Sequence, residues 1–443
     1  MQNQGIRDAR SLGTPKLLVL GLQHMFAMFG ATVLVPALTG LSVSATLLFA
    51  GLGTLFFHFV TKGKVPAFLG SSFAYLAGYA AIAPNGEAAL LPYACVGVAA
   101  SGLLYLILAA LVRGFGANRV MRFFPPVVTG PIIICIGMTL ANSAINNCTG
   151  SWDIALVAIL TVVIFNLWGK GMLRIIPILL GVLVSYVYAA VTGRVDFSGV
   201  ASAAWIGLPV KMENTVFSLI GNCDANLLVT AIIAIMPIAF ATMIEHIGDI
   251  CAISSTVGAN FIADPGLHRT LLGDGLATSI ASLFGAPANT TYGENTGVLA
   301  LTRVYDPLVI RLAAVYAIIA SFCPKFAALV SAMPTGTIGG VSLILYGMIS
   351  AIGVRNLVEN RVDLAKSRNV IVVSLIISLA LGITFSTAGA ITFHVGEFTL
   401  NFSGLAVAAI VGIVVNAILP GKDYNFQNDY EYGKTTEDHG QML

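Results

Sequence analysis

The residues able to do chemistry are few, and their surroundings are so apolar that they stand out. In the run MPIAFATMIEHIGDI, Glu245 and Asp249 lie four apart, so on a helix they share one face about a turn from each other. Two ionised carboxylates at that spacing in a low dielectric repel, so the pair is suited to hold a proton between them or to face water. An exchangeable proton is what a proton-coupled carrier needs. Asp249 also fits a solvated position on the cytoplasmic half of its helix. Further on, FGAPANTTYGENTGVLALTR (284–303) breaks an apolar run with Pro287, Asn289, Thr290, Thr291, Tyr292, Gly293, Glu294 and Asn295. Inside a membrane such a segment frees backbone groups that the protein or a water-lined cavity must take up. It reads as a short polar strand running into a half-helix. Glu294 opens that half-helix, where free N–H groups and the positive dipole end favour an anion or a carbonyl oxygen.

Other side chains carry weaker signals. A lone histidine in an apolar helix, such as His24 or His246, is as a rule a satisfied core residue, although His24 is placed to brace a carboxylate. Tyr346, in the run GGVSLILYGM, fits a hydroxyl that closes a pocket and fits core packing equally well. Asp274 in LLGDGLATS and Asp306 before Pro307 read as helix-start residues near the cytoplasmic face. His58 and His394 lie near segment ends and receive no role. The six cysteines are scattered with no CxxC pair, and no HExxH, GxSxG or Cys/His cluster occurs. Neither an enzyme, a metal site nor a disulfide framework follows, and no cofactor is expected beyond a proton as coupling ion.

These residues need spanning helices to hold them. Of the 443 residues, 57% are hydrophobic and only 9% charged, with mean hydropathy +0.90, whereas soluble domains carry about 25% charged residues. The chain is therefore expected to be an all-α polytopic membrane protein, with the lipid bilayer as its partner and no nucleic acid. The net charge of +2 does not alter this, because the basic residues fall in loops. Residues 1–15 are polar without a cleavable signal pattern, so the first apolar segment is expected to stay as a span. Apolar runs of roughly membrane length fall at 17–39, 41–61, 66–82, 90–112, 126–146, 152–168, 173–192, 227–257, 268–286, 290–304, 307–324, 336–353, 369–387 and 403–419. The third and tenth are short and interrupted by Gly, Ser and Thr. With fourteen spans, all 22 Lys and Arg except Arg194, Lys211 and Lys325 fall on one side. By the positive-inside rule that side is cytoplasmic and holds both termini, Lys434 in the tail included.

An internal repeat is legible. Gln23-His24 corresponds to Glu245-His246 at an offset of 222; Pro66-Ala67 stands to Phe73 as Pro287-Ala288 stands to Glu294, at 221; TGPIIICIGM matches GGVSLILYGM at 210. Two halves of seven spans follow, and because seven is odd the second half is inverted. Inverted repeats with paired discontinuous segments are a secondary-transporter plan with the site at the midplane. Phe73 then opens the half-helix of the first repeat, and backbone N–H groups of Phe73 and Gly293 point toward one shared place.

The run Glu294-Asn295-Thr296-Gly297 through Thr302-Arg303 resembles the signature of the nucleobase–ascorbate transporter family. LGLQHMFAMFGATVLVP, GSSFAY around Phe73, EHIGD and GGVSLILYGMI are similar to the same family, in its bacterial uracil permease branch, and the resemblance covers nearly the whole chain. It implies a core domain of spans 1–4 and 8–11 (1–112 and 225–325) that carries substrate, and a gate domain of spans 5–7 and 12–14 (113–224 and 326–443) that often makes a homodimer contact. It implies a cell-membrane, proton-coupled symporter for a nucleobase, with Glu245 and Glu294 hydrogen-bonding the base and the N–H groups of Phe73 and Gly293 assisting. Phe73 and Tyr292 would offer flat faces to the ring, Tyr346 would close the pocket, and Asp249, His24 and Asn295 would brace the site or couple the proton. Relatives include members with His in place of Asp249. Purine-selective relatives commonly have Gln in place of Glu294, so Glu favours uracil; a purine permease and an inorganic-anion carrier on the same fold remain the alternatives.

Overall fold

A computed structural model describes residues 5–395 and 398–422; Lys434, the rest of the tail and the side chain of His394 lie outside the described residues. The first half runs through α1 (Thr14–Thr39), α2 (Val43–Val60), β1 (Leu69–Ser71), α3 (Leu76–Ile82), α4 (Leu91–Phe115), α5 (Ala117–Met121), α6 (Pro126–Cys148), α7 (Trp152–Trp168), α8 (Met172–Ile175) and α9 (Pro177–Val191). After α10 (Ser198–Ser202) the second half follows with α11 (Ala225–Ile235), α12 (Ala239–Val257), α13 (Leu267–Leu283), β2 (Asn289–Thr291), α14 (Gly293–Thr302) and α15 (Pro307–Ser321). It ends with α16 (Pro324–Ser331), α17 (Thr335–Glu359), α18 (Ser367–Thr384), a hairpin of β3 (Ala390–Val395) and β4 (Phe398–Ser403), and α19 (Gly404–Ile418).

Each of the fourteen apolar runs falls on a helix or a strand–helix pair among the described residues. Of these, seven are long and apolar enough to cross a membrane, with α11 and α12 taken together as one of them, and the rest are shorter or broken. The eighth segment bends where Pro237, lacking an N–H, ends α11 in a 3₁₀ turn over Met236–Ile238 before α12 resumes. Glu245 and Asp249 both lie beyond that bend. The hairpin β3–β4, the surface helices α10 and α16, and the 88° turn from α15 into α16 had no counterpart in the hydropathy pattern.

The third and tenth segments each combine a strand with a half-helix, and the two strands pair antiparallel with Leu69 opposite Thr291, Gly70 opposite Thr290 and Ser71 opposite Asn289. Two further bonds, Ser72 N to Ala288 O at 2.8 Å and Tyr292 N to Phe68 O at 3.0 Å, extend the ladder. A two-stranded sheet has two open edges, and at membrane depth these would be costly. Threonines close both. Thr54 of α2 accepts from Leu69 N at 2.9 Å; its own proton goes to Ala50 O at 2.7 Å, with Leu69 O a longer second acceptor at 3.3 Å. Thr278 of α13 accepts from Asn289 N at 3.2 Å and donates to Asn289 O at 3.0 Å. Pro36 inside α1 leaves the Thr32 carbonyl without its helical donor, and Ser71 Oγ supplies one at 2.9 Å. The Asn289 amide reaches Phe49 O at 3.2 Å, an approach that a Cβ at Gly53 would block.

Helix packing comes in exchanged pairs. Segment 4 lies on 9 (α4 on α13) as segment 11 lies on 2 (α15 on α2), and 6 on 7 (α7 on α9) as 13 on 14 (α18 on α19). Segments 3 and 10, and likewise 5 and 12 (α6 and α17), pack on their own repeat partners. An internal two-fold that swaps the halves produces this pattern. The strands align Leu69–Ser71 with Asn289–Thr291, an offset of 220, one less than the proline spacing indicated. Phe73 is therefore the counterpart of Gly293 and not of Glu294. The match is imperfect: α14 starts at Gly293, whereas Phe73 to Tyr75 form a turn ahead of α3, with Leu76 N bonded to Phe73 O at 3.1 Å.

Valine has the shape of threonine without the hydroxyl. Thr54→Val and Thr278→Val should each lower stability by about 1–3 kcal/mol, because each strands a buried N–H, and Thr278→Val the Asn289 carbonyl as well. Chemical unfolding of the detergent-solubilised protein measures this; an unchanged midpoint for both variants would show that the edges are satisfied by other means.

Candidate functional site

The half-helix α14 projects its first residues into an opening at membrane depth. Gly293 and Gly297, one turn apart on α14, are exposed, and so is Gly248 on α12; a Cβ at any of the three would meet nothing within 4 Å. Glu294 stands at the second position of α14, half-buried, and Glu245 reaches the same region from α12, also half-buried. Helices α12 and α14, which carry Glu245 and Glu294, pack together. Glu245 keeps one carboxylate oxygen buried without a protein partner. Asp249 is not a freely solvated residue: its Oδ2 accepts from Thr291 Oγ1 at 2.7 Å, which ties α12 to the last residue of β2.

The remaining sequence candidates divide. Phe73 is buried and meets Tyr346 of α17 edge to face, with ring centroids 6.0 Å apart. Tyr346 OH is buried without a protein partner. Tyr292 does not offer a face to a ligand. Its ring lies where a Cβ of Gly70 would be, and its hydroxyl donates to Ser71 O at 2.8 Å, so it clasps the strand pair. His24 does not brace a carboxylate. Asn295 Nδ2 lies 3.0 Å from His24 O, to which it donates, and 3.2 Å from His24 Nδ1, so the pair joins α14 to α1 behind the opening. His24 Nε2 and Asn295 Oδ1 remain without protein partners.

Two readings of single residues change. Asp274 is not a helix-start residue near the surface. It lies in the middle of α13, completely buried, with Oδ2 3.1 Å from His246 Nδ1 though off the line of a hydrogen bond. The rings of Phe57 and Tyr105 stand edge-on to His246. Apolar spacing around Asp274 gave no sign of this, because its partner comes from another segment. His58 is also structural: its Nε2 lies 2.9 Å from Ala67 O and Arg311 Nε donates to its Nδ1 at 3.4 Å, bracing the stretch that leads into β1. Asp306 does begin a helix, accepting from Leu308 N at 2.9 Å, and also accepts from Ala9 N at 2.8 Å.

Several polar atoms without protein partners belong to residues that sequence reasoning passed over: Gln23 Oε1, Ser72 Oγ, Thr296 Oγ1 and Ser342 Oγ. Buried polar groups are ordinarily hydrogen-bonded, so these atoms are ones that a polar ligand or solvent would complete. Each had a faint signal. Gln23 is the repeat partner of Glu245, Ser72 precedes Phe73, Thr296 follows Asn295, and Ser342 lies one turn before Tyr346.

The family model described as "Permease family" matches residues 15–389. The chain is 42% identical over 437 residues to the uracil permease of Bacillus caldolyticus, covering 96% of each chain. It is 40% identical to the uracil permease of Bacillus subtilis (strain 168), covering 99% of this chain and 98% of that one. The uracil permease of Escherichia coli (strain K12) is 38% identical, with 90% of each covered. Among solved structures, the transmembrane domain of the cyanobacterial bicarbonate transporter BicA aligns at TM-score 0.59 and 13% identity, covering 94% of this chain and 100% of that one. SLC26A9 aligns at TM-score 0.62 and 12% identity, covering 96% of this chain and 70% of that one. At such identities the likeness is one of fold alone.

The Asn295–His24 bridge should behave as one interaction. His24→Ala and Asn295→Ala are expected to be non-additive in stability, with a coupling of about 1 kcal/mol. A double-mutant cycle on unfolding midpoints measures it, and strict additivity would show the two side chains acting independently.

Proposed function

The chain belongs to the nucleobase–ascorbate transporter family of permeases, and from that membership we propose that it imports uracil across the cell membrane, coupled to protons. What carries the reading is one juxtaposition: two half-buried carboxylates, Glu245 and Glu294, stand on the packed helices α12 and α14 beside the exposed Gly248, Gly293 and Gly297, and Glu245 retains an unused acceptor. Uracil is planar and neutral, with two N–H donors and two carbonyl acceptors. Carboxylates take the donors, while the N–H groups of Phe73 and Gly293, or a protonated carboxyl, serve the carbonyls. Gly293 begins α14, so its N–H belongs to the first turn, whose donors have no intrahelical acceptor. Phe73 supplies the flat apolar surface, with Tyr346 behind it. The uracil permeases to which the chain is similar favour this ligand over a purine. Two midplane carboxylates disfavour an inorganic anion.

Proton coupling and alternating access complete the proposal. Glu294 at a helix N-terminus gains roughly 0.3–2 kcal/mol for its charge from the dipole, a support that Glu245 within α12 lacks. The dipole opposes protonation of Glu294 and its burial must overcome that; on this reading Glu294 is the group whose charge changes with substrate and proton, Glu245 recognises the base, and Asp249 accepts from Thr291. The segments that pack around the strand pair, 1–112 and 225–325, act as the moving core, against a gate of 113–224 and 326–443. Both termini face the cytoplasm. Leu160, Leu167, Val187 and Val191, exposed on α7 and α9, form the outer gate face through which two copies would pair.

Labelled-uracil uptake into proteoliposomes tests the whole reading. Accumulation should require an inward proton gradient and collapse with a protonophore; uptake that ignores the protonophore and follows external sodium would overturn the coupling, and preference for xanthine in competition would overturn the substrate. Glu245→Gln should weaken uracil binding by about 1.5–3 kcal/mol, the worth of a hydrogen bond to a charged group. Glu294→Gln should retain appreciable binding, lose its pH dependence and fail to accumulate substrate. Binding measured from acid to alkaline pH separates the two, and the opposite pattern would reverse the roles.

A further inference from the structure

Away from the carboxylates, the structure holds an apolar cavity of about 520 Å³. Leu104 and Leu108 of α4 form one wall, Phe240 and Met243 of α12 another, and Phe124 and Ile413 of the gate segments a third. The cavity opens to the lipid, since Ile107, Phe115 and Phe123 both line it and stand about half exposed. The lining contains one charged side chain, Arg119 on α5, at the end of the membrane layer where the chain passes from α4 to α6. Arg119 is exposed and makes no ion pair among the described residues.

We infer that this cavity holds one acyl chain of an anionic phospholipid whose phosphate pairs with Arg119. A lining this apolar offers a nucleobase no hydrogen-bond partners, so the cavity is no second substrate site, whereas a hydrocarbon chain needs none. The planar guanidinium suits a phosphate oxygen pair, and an exposed cation beside an apolar slot open to the bilayer matches a headgroup and its tail together. The cavity is walled by α4 and α12 on one side and by the gate segments on the other, and Met243 lies two residues before Glu245. A chain seated there touches both sides of the boundary along which the core is proposed to move. That consequence rests on the core-against-gate reading above; the binding itself does not, and it can be measured without transport.

The full-length protein carrying Phe123→Trp is reconstituted in phosphatidylcholine vesicles containing either brominated-chain phosphatidylglycerol or brominated-chain phosphatidylcholine. Quenching of the unsubstituted protein's own Trp152, Trp168 and Trp205 is subtracted from a parallel sample. The expected result is a preference for phosphatidylglycerol of about threefold, the size of one exposed charge pair. Arg119→Gln should abolish the preference, Arg119→Lys should retain part of it, and Leu108→Phe, which fills the cavity, should reduce quenching by both lipids. Equal quenching by the two lipids, a preference that survives Arg119→Gln, or quenching unaffected by Leu108→Phe would each overturn the proposal. Should Phe123→Trp fail to fold, Leu111→Trp places the reporter on the α4 wall and is read in the same way.

Discussion

Every non-helical peptide group at membrane depth must find its partner inside the protein, and the two three-residue strands are where this chain meets that demand. Neither strand could exist alone. Paired, they satisfy each other's inner edges; on the outer edges Thr54 accepts from Leu69 N, and Thr278 both accepts from and donates to Asn289. The helices that supply these threonines, α2 and α13, also pack on each other. The symmetric arrangement is thus self-consistent: one repeat provides the strand and the lock that its own strand requires, and the other repeat provides the ladder.

Holding the chain extended for three residues at that depth brings a half-helix start to the interior. The N-terminus of α14, an exposed end in most helices, lies here between α12 and α1, with Glu294 in its first turn. Around it the protein has spent its polar groups unevenly. Asn295, His24, Tyr292 and Ser71 bond to one another or to backbone and fix the scaffold. Gln23, Ser72, Glu245 and Tyr346 retain unpaired atoms. The first group defines where the second group points, which is why substitutions in either would disturb the site by different routes.

The contact between Phe73 and Tyr346 joins segment 3 to segment 12, and so links the strand-bearing bundle to the helices that frame it. An edge-to-face pair of this kind is worth about 0.5–1.5 kcal/mol beyond its buried area.

Hydropathy and chain chemistry encode the local features of this protein. Fourteen apolar runs mark fourteen helices or strand–helix pairs among the described residues, and the clustering of proline with glycine and polar side chains inside 66–82 and 284–303 announces the strand breaks, because so many freed polar groups together do not suit a lipid-facing helix. The spacing of Glu245 and Asp249, and Glu294 at the start of a half-helix, were equally local facts. Pairings between distant segments emerge only when the chain is folded. Tyr292 turns onto Gly70 rather than toward the opening, His24 meets Asn295 rather than a carboxylate, and Asp274 is buried against His246, because each partner lies on a different segment and a periodic pattern records which face is buried but not against what. The one-residue shift that makes Phe73 the counterpart of Gly293 has the same origin: strand register is set by hydrogen bonds across the two halves, and no spacing within either half contains it.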